Sequence, residues 1–208
     1  IWKYRIISAV SALLSMFALF LLNKSLFSNK STFYSAIILS GTILFIAEAH
    51  IAKTDATLLL CTILVYSTLL KYYLGFEKSS KFISFISFWG GLSLSILIKG
   101  PILFILIFLS ITFIATIKRE IKWFFDSKPL LGIVFTLTIS LFWFYLMPQE
   151  EQKAFLNEAI LHDFLGKVIS VKENHGAFPG FYTLSLLVFF FPFSIFIIPS
   201  IYFLKSSF

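Results

Sequence analysis

The sequence predicts an all-α fold, a polytopic bundle of about seven transmembrane helices, and three observations lead to that prediction. Of the 208 residues, 59% are hydrophobic and only 13% are charged, and the mean hydropathy is +0.94. This exceeds what the core of a soluble domain requires, so lipid is the expected solvent for most of the surface. The apolar runs are roughly 17–20 residues long and do not alternate in polarity, which favours helices over the strands of a barrel.

The predicted spans follow one another along the chain, and each boundary has a local signal. The first run is followed by no small-residue cleavage site, so we interpret it as a span and not as a signal peptide. A charged segment separates the second span from the third, a Lys-Gly-Pro turn separates the fourth from the fifth, and a long polar segment precedes the seventh. The predicted spans are 6–22, 33–49, 56–74, 82–98, 101–117, 130–146 and 181–204.

The basic residues are shared unequally between the two ends of these spans. Ten of the 17 lysines and arginines, counting those at span edges, fall on the side that holds 23–32, 75–81, 118–129 and the C-terminus. The positive-inside rule makes this side cytoplasmic, and we interpret its lysine-rich connections as solvated loops. The non-cytoplasmic side then holds the three unusual polar segments: 48–55, 98–101 and 147–180.

Charge and motifs narrow the classes of function. The net charge of +7 does not indicate nucleic-acid binding, because the bases lie between apolar runs and not on one amphipathic face. The single cysteine, Cys61, allows no intramolecular disulfide and no thiolate metal motif. The sequence contains no nucleotide-binding glycine loop and no nucleophile elbow.

The stretch EAHIAKTDATL at 48–58 places two acids, a histidine and a base between two apolar runs. Thr54 or Asp55 can act as the N-cap of the following helix, which is the structural interpretation. That interpretation leaves Glu48 and His50 unexplained, and charged groups at membrane depth are usually paired or functional. If the preceding helix continues, Glu48 and Asp55 share one face of it. An ionised acid here could also hold a divalent cation.

The stretch ILIKGPILF around Lys99 has two interpretations that the sequence leaves open. Pro101 suits the first turn of a helix, and Gly100 suits the tight turn before it. Lys99 could snorkel from a helix end towards water. It could also supply a positive charge to a phosphate, beside a turn with free backbone N–H groups.

The segment 147–180 is long for a connection between spans, and loops of this length are usually functional or disordered. We predict that it begins with an interfacial helix, because positions recur every three or four residues: Phe155, Ala159, His162 and Leu165. The aromatic side chains directly after it, Tyr182 among them, are typical of the aromatic belt at a membrane surface. The set His162, Asp163 and His175 matches no zinc spacing pattern.

Three segments together resemble one family of membrane enzymes. They are, in chain order, EAHIAKTDATLL, GGLSLSILIKGPI, and ENHGAFPGFYTL followed by FFPFS. They are similar to the inner-membrane glycosyltransferases related to the aminoarabinose lipid A transferase and the protein O-mannosyltransferases. These are GT-C enzymes that use polyprenyl-phosphate sugars. The opening WKYRIISAVSAL is also similar to a segment of this family.

The resemblance implies a GT-C-like bundle and roles for particular residues. Asp55 would match an acid that lines the active cavity, and Glu48 is the second candidate catalytic carboxylate. The same two residues are the candidate ligands of a divalent metal ion. The candidate substrate-binding residues begin with Lys99, which would face the lipid phosphate. The others are Lys53, Lys167, His175 and Tyr182.

The resemblance also implies an activity and a location. We expect transfer of a glycosyl group from a polyprenyl-phosphate donor to a lipid or protein acceptor, at the periplasmic face of the bacterial inner membrane. Residues 1–208 would form a single transmembrane domain in contact with membrane lipids, with 147–180 as a non-cytoplasmic loop.

The chain departs from the family pattern in one respect. Family members carry an acidic pair in their first outer loop, whereas no acid precedes Glu48 in this sequence. We therefore expect the chain to be part of a longer transferase, inactive alone, with a separate N-terminal half of the same enzyme as a partner.

Two further classes of function are compatible with the composition. A multi-span transporter would account for charges within the membrane, with IKGPI as a broken helix. Against it, the charged positions lie at one face and not at the midplane. A structural membrane subunit is the third interpretation.

Overall fold

A computed structural model describes residues 2–76, 80–155 and 180–206, which form helices joined by short connections. The first helices are α1 (Trp2–Asn23), α2 (Asn29–Ser40), α3 (Ile43–His50) and α4 (Asp55–Tyr73). A long helix follows in three parts: α5 (Lys81–Phe85), a π-helical turn (Ile86–Gly90) and α6 (Gly91–Lys99). The remaining elements are α7 (Ile102–Lys118), a 3₁₀ helix (Lys122–Ser127), α8 (Pro129–Leu146), α9 (Gln149–Phe155), α10 (Phe181–Phe189), a 3₁₀ helix (Phe193–Phe196) and α11 (Ile197–Ser206).

The all-α prediction is confirmed, and no strand occurs in the three described ranges. Four helices are long and apolar enough to cross a membrane, which makes the chain an integral, multi-pass membrane protein. They are Arg5–Asn23, Asp55–Tyr73, Lys81–Lys99 and Pro129–Leu146.

Within the described residues, the chain has fewer spans than the seven predicted. The described helices supply four spans, or up to six if each of two bent pairs crosses the membrane as one span. The predicted second span is bent by 63° between α2 and α3, and the seventh is bent by 117° between α10 and the helices after it. Helix α7 has 17 residues, or about 26 Å at 1.5 Å per residue, which is shorter than the hydrocarbon core.

Polar contacts between helices fix the direction in which each helix runs. Two hydrogen bonds join α1 to α4 in parallel register, Ser11 to Thr57 and Asn23 to Ser67, and a third joins Ser8 to Lys53 just before α4. The start of α4 meets the end of α6 through Asp55 and Lys99, so those two helices are antiparallel. The helix starts of α1, α4 and α7 therefore lie at the same end of the bundle as the helix ends of α3 and α6.

The core forms where α4, α6 and α7 meet. It contains the buried residues Cys61, Val65, Leu69, Phe88, Trp89, Leu92, Leu103, Ile107 and Ile111. Small residues allow close approach, as is usual between membrane helices. A Cβ on Gly132 of α8 would lie 1.8 Å from the Trp89 ring, and a Cβ on Gly91 would lie 2.9 Å from Val65. The outward faces expose large apolar side chains such as Phe17, Phe108 and Phe142, as expected for surfaces that face lipid.

The α2–α3 bend is held by the segment that follows α10. The Ile43 backbone N–H donates to the Phe191 carbonyl at 3.2 Å. The Phe193 ring packs against Gly41, where a Cβ would lie 2.7 Å from the ring. This contact brings α10 beside α3 and the start of α4.

Candidate functional site

The first feature of the site is an ion pair between two helix ends. Asp55 is the first residue of α4, and Lys99 is the last residue of α6. The Lys99 Nζ donates to Asp55 Oδ1, and the Lys99 and Asp55 side chains are 38% and 34% exposed. The positive end of the α4 dipole adds to the attraction for the carboxylate. The pair is therefore held in place yet open to a ligand.

The capping interpretation of this segment is wrong in its detail. Thr54 occupies the N-cap position of α4, but its side chain makes no capping hydrogen bond. Asp55 lies one residue later, inside the helix, and its carboxylate binds Lys99. Helix capping therefore does not account for the polar residues of this segment.

Glu48 is the second carboxylate of the site, and it lies in α3. Its side chain is 20% exposed, and its Oε1 atom lies 3.9 Å from the Nζ of Lys53, whose side chain is 55% exposed. Its other oxygen, Oε2, is buried with no hydrogen-bond partner among the described residues. A buried carboxylate oxygen without a partner is costly, so it marks a place where a ligand hydroxyl could donate.

Glu48 and Asp55 do not share a helix face, contrary to the expectation for a continuous helix. Helix α3 ends at His50, and α4 begins at Asp55. The connection between them is held by Ser8 of α1, whose hydroxyl donates to the Lys53 carbonyl at 2.9 Å. The two carboxylates come together through this turn, because both line the same cavity.

The cavity has a volume of about 480 Å³ and lies among α1, α3, α4 and α10. Most of its wall is apolar, with Leu44, Phe45, Leu59, Leu186 and Phe189 among the lining residues. The polar lining residues are Thr42, Glu48, Asp55 and Ser185. An apolar chamber with charged groups is suited to an amphipathic ligand with a polar head and an apolar chain.

Gly100 makes the turn that places Lys99. Its φ is 73° and its ψ is −161°, a conformation that is essentially restricted to glycine. Pro101 precedes the first turn of α7 and is not part of it. The turn ends α6 at Lys99, so the lysine side chain lies at the helix end and not within a longer span.

The other predicted residues of the site have different positions. His50 is exposed, and its Nδ1 lies 2.7 Å from the Ile46 carbonyl, so it does not join the carboxylates. Tyr182 lies in α10, the helix that also contributes Ser185 to the cavity. Lys167 and His175 lie outside the described residues, as do His162, Asp163 and most of the predicted interfacial helix. The described start of that segment is α9, where Gln152 Nε2 donates to the Met147 carbonyl at 2.9 Å.

Sequence reasoning did not find Ser8, Thr42 or Ser185. Ser8 positions the connection between the two carboxylates, and the other two line the cavity. Each of the three is a small polar residue within an apolar run. Such residues are common in membrane helices, so this feature is a weak indication of function.

That Asp55 and Glu48 bind a divalent metal ion stays a prediction. Among the residues that the structure describes, no group of three or more His, Cys, Asp and Glu side chains is close enough to hold a metal ion. Asp55 and Glu48 could supply two carboxylate ligands, and each already lies near a lysine. A metal bound to them would have to compete with these two positive charges.

Comparison with known proteins identifies the family of the chain. The family model described as dolichyl-phosphate-mannose-protein mannosyltransferase matches residues 1–145, which include Glu48, Asp55 and Lys99. Comparisons with curated proteins and with solved structures give no significant match. The match covers well over half of the chain, and the chain therefore belongs to the dolichyl-phosphate-mannose-protein mannosyltransferase family.

Proposed function

We propose that the chain transfers a glycosyl group from a polyprenyl-phosphate donor to a hydroxyl of a lipid or protein acceptor. Membership of the family indicates glycosyltransferase activity with a polyprenyl-phosphate sugar. The single observation that supports a site for it is the Asp55–Lys99 ion pair at the apolar cavity that Glu48 also lines. The pair offers charge for the phosphate, and the cavity offers an apolar surface for the chain of the donor.

The proposed roles follow from the charges. Transfer breaks the bond between the anomeric carbon of the sugar and a phosphate oxygen, and the electron pair leaves on the phosphate. Lys99 stabilises the negative charge that develops there, and Asp55 holds the lysine in position. The acceptor oxygen bonds to the anomeric carbon, and its proton goes to the partnerless oxygen of Glu48. Lys53 lies beside Glu48 at the exposed edge of the site.

A divalent ion held by Asp55 and Glu48 is the alternative source of positive charge. The two sources differ in their response to a chelator. If Lys99 alone stabilises the phosphate, EDTA leaves transfer unchanged, whereas a metal-dependent enzyme loses activity and regains it when the ion is restored.

The proposed location of the site is the non-cytoplasmic face of the bacterial inner membrane. The support is the positive-inside rule, because the opposite end of the bundle carries Lys24, Lys30, Lys118, Arg119 and Lys122. Thiol labelling of a Thr54→Cys variant tests the location, since the native Cys61 is buried. Labelling from the cytoplasmic side alone would contradict it.

The transfer reaction is tested in proteoliposomes that contain the chain together with its expected N-terminal partner, a polyprenyl-phosphate sugar and a membrane extract as acceptor. We expect Glu48→Gln to lower the transfer rate by roughly 10²–10⁴-fold while donor binding is retained, because the variant cannot accept a proton. Mass spectrometry of the released polyprenyl phosphate measures the reaction. Glu120→Gln, the same change at an exposed position at the other end of the bundle, is the control. Normal transfer by Glu48→Gln would remove the proposed base.

A further inference from the structure

A second cavity lies at the opposite end of the bundle from the Asp55–Lys99 pair. It has a volume of about 650 Å³ and is formed by the end of α4, the start of α5, the 3₁₀ helix Lys122–Ser127 and the start of α8. Its charged lining residues are Lys71, Lys81, Lys128 and Asp126. Among the described residues it therefore carries three positive charges against one negative charge.

Lys71 is the unusual member of this set. It lies in the last turn of α4 and is only 5% exposed. Lysine is almost never buried unless it is paired. Neither of the two ion pairs among the described residues involves Lys71, and its Nζ makes no hydrogen bond to another described residue. A largely buried lysine that lines a cavity and has no partner for its ammonium among the described residues points to an anionic ligand.

The rim of the cavity also carries positive charge. Lys128 is exposed, and its φ of 54° and ψ of 62° lie in the left-handed region, which is uncommon for a residue other than glycine. This conformation directs the chain into α8, whose positive end then lies beside the cavity. The residue before it is fixed, because Trp89 Nε1 donates to the Ser127 carbonyl at 2.7 Å.

The remaining lining residues suit a ligand that is partly apolar. Phe76, Phe82, Phe85, Phe125 and Leu131 form much of the wall. The Ser84 side chain also lines the cavity and makes no hydrogen bond to another described residue, so it can donate to a ligand oxygen. Asp126 forms no ion pair with the three lysines within the described part of the chain.

We propose that this cavity binds the phosphate headgroup of an anionic membrane lipid. Lys71 contacts the phosphate at the base of the cavity, Lys81 and Lys128 contact it at the rim, and the aromatic wall contacts the glycerol and upper acyl region. Basic pockets at the cytoplasmic ends of membrane helices favour such headgroups. The apolar wall and the position at a span end favour a lipid-borne phosphate over a phosphate free in solution.

The experiment compares lipid binding to the full chain by native mass spectrometry. The probes are phosphatidylglycerol and phosphatidylcholine with identical acyl chains. We expect the wild type to prefer phosphatidylglycerol, and Lys71→Gln and Lys128→Gln each to weaken that binding by about fivefold, since one lysine near a membrane surface contributes about 1 kcal/mol. Lys118→Gln, an exposed lysine at the same end but outside the cavity, is the matched control and should bind as the wild type does.

Three outcomes would overturn the proposal. The first is equal binding of the two lipids by the wild type, and the second is unchanged phosphatidylglycerol binding in Lys71→Gln and Lys128→Gln. The third is displacement of the lipid by millimolar inorganic phosphate, which would assign the cavity to a soluble phosphate. If Lys71→Gln does not fold, Lys128→Gln and Lys81→Gln test the same cavity from its exposed rim.

Discussion

At the scale of single residues, the Asp55–Lys99 ion pair is the main support for a functional site. An exposed ion pair contributes about 0–1 kcal/mol to stability, so stability alone is a weak reason to keep two charges at the edge of the membrane. The pair joins helices that are far apart in the sequence, and it lies at a cavity that Glu48 also lines. A role in binding the ligand phosphate accounts for both facts.

Asp55→Asn separates the role in binding from the role in folding. The amide keeps the size of the side chain but no longer holds Lys99 by charge, so we expect transfer to fall by roughly a hundredfold. The loss of thermal stability should correspond to about 1 kcal/mol or less. Single-turnover transfer and a thermal melt measure the two effects. Asp126→Asn, at the other end of the bundle, is the control, and near-normal turnover by Asp55→Asn would reduce Asp55 to a structural residue.

The sequence could indicate these residues but not their contacts. The charge pattern placed 48–55 and 99–101 at one end of the bundle, because each lies between two apolar runs. It left open whether Lys99 snorkels, pairs with an acid or binds a phosphate. The choice of Asp55 as its partner depends on how α4 and α6 pack, which no local pattern encodes.

At the scale of helices, close packing between α8 and the π-helical turn that precedes α6 positions α6. The helices approach where Gly132 faces the Trp89 ring, and the Trp89 side chain donates to the Ser127 carbonyl. This contact helps to position residues at both ends of the bundle. Lys99 lies ten residues beyond Trp89, and Ser127 precedes Lys128 of the second cavity.

Gly132→Ala tests that contact. The added Cβ would lie 1.8 Å from the ring, so the ring or the helix must move, and overpacking of this kind typically costs about 1–3 kcal/mol. We expect a clear fall in the melting temperature in detergent. Gly90→Ala is the matched control, because its Cβ would lie 3.7 Å from Ile86 in ordinary contact. Equal melting temperatures for the two variants would contradict the packing described here.

The bends between helices could not be predicted from local sequence. The run 33–49 is mostly apolar and contains Gly41, which a membrane helix tolerates. The break there coincides with a contact from a distant segment, in which Phe193 packs on Gly41 and the Phe191 carbonyl accepts from Ile43. Helix type could therefore be predicted from hydropathy, while the number of spans could not.

At the scale of the whole molecule, the two ends of the bundle differ in chemistry. One end has a cavity lined by two carboxylates, one of which is paired with Lys99, and the other has a cavity rich in lysine. The sequence indicated the first end correctly as the place of unusual polar residues. It gave no sign of the second cavity, because a lysine near a span end normally extends to water, whereas Lys71 is 5% exposed and lines the cavity.

The arrangement of charges also bears on the transporter alternative. Transporter sites usually lie near the midplane, between broken helices. Asp55 is the first residue of α4 and Lys99 the last residue of α6, so their charges lie at one end of the bundle. This position suits a reaction at the membrane surface, where a lipid-linked donor presents its phosphate.

The proposal that Lys99 binds the phosphate of the donor is tested most directly by the affinity of the chain for bare polyprenyl phosphate, with and without Lys99. We expect Lys99→Gln to weaken binding by roughly ten- to a hundredfold, since hydrogen bonds to charged groups contribute about 1.5–3 kcal/mol. Lys118→Gln is the charge-matched control, and a Lys128→Gln background weakens binding at the second cavity. Titration at low salt in detergent gives the affinities. A tenfold or greater loss in Lys99→Gln alone supports the site, and unchanged affinity in that variant would contradict it.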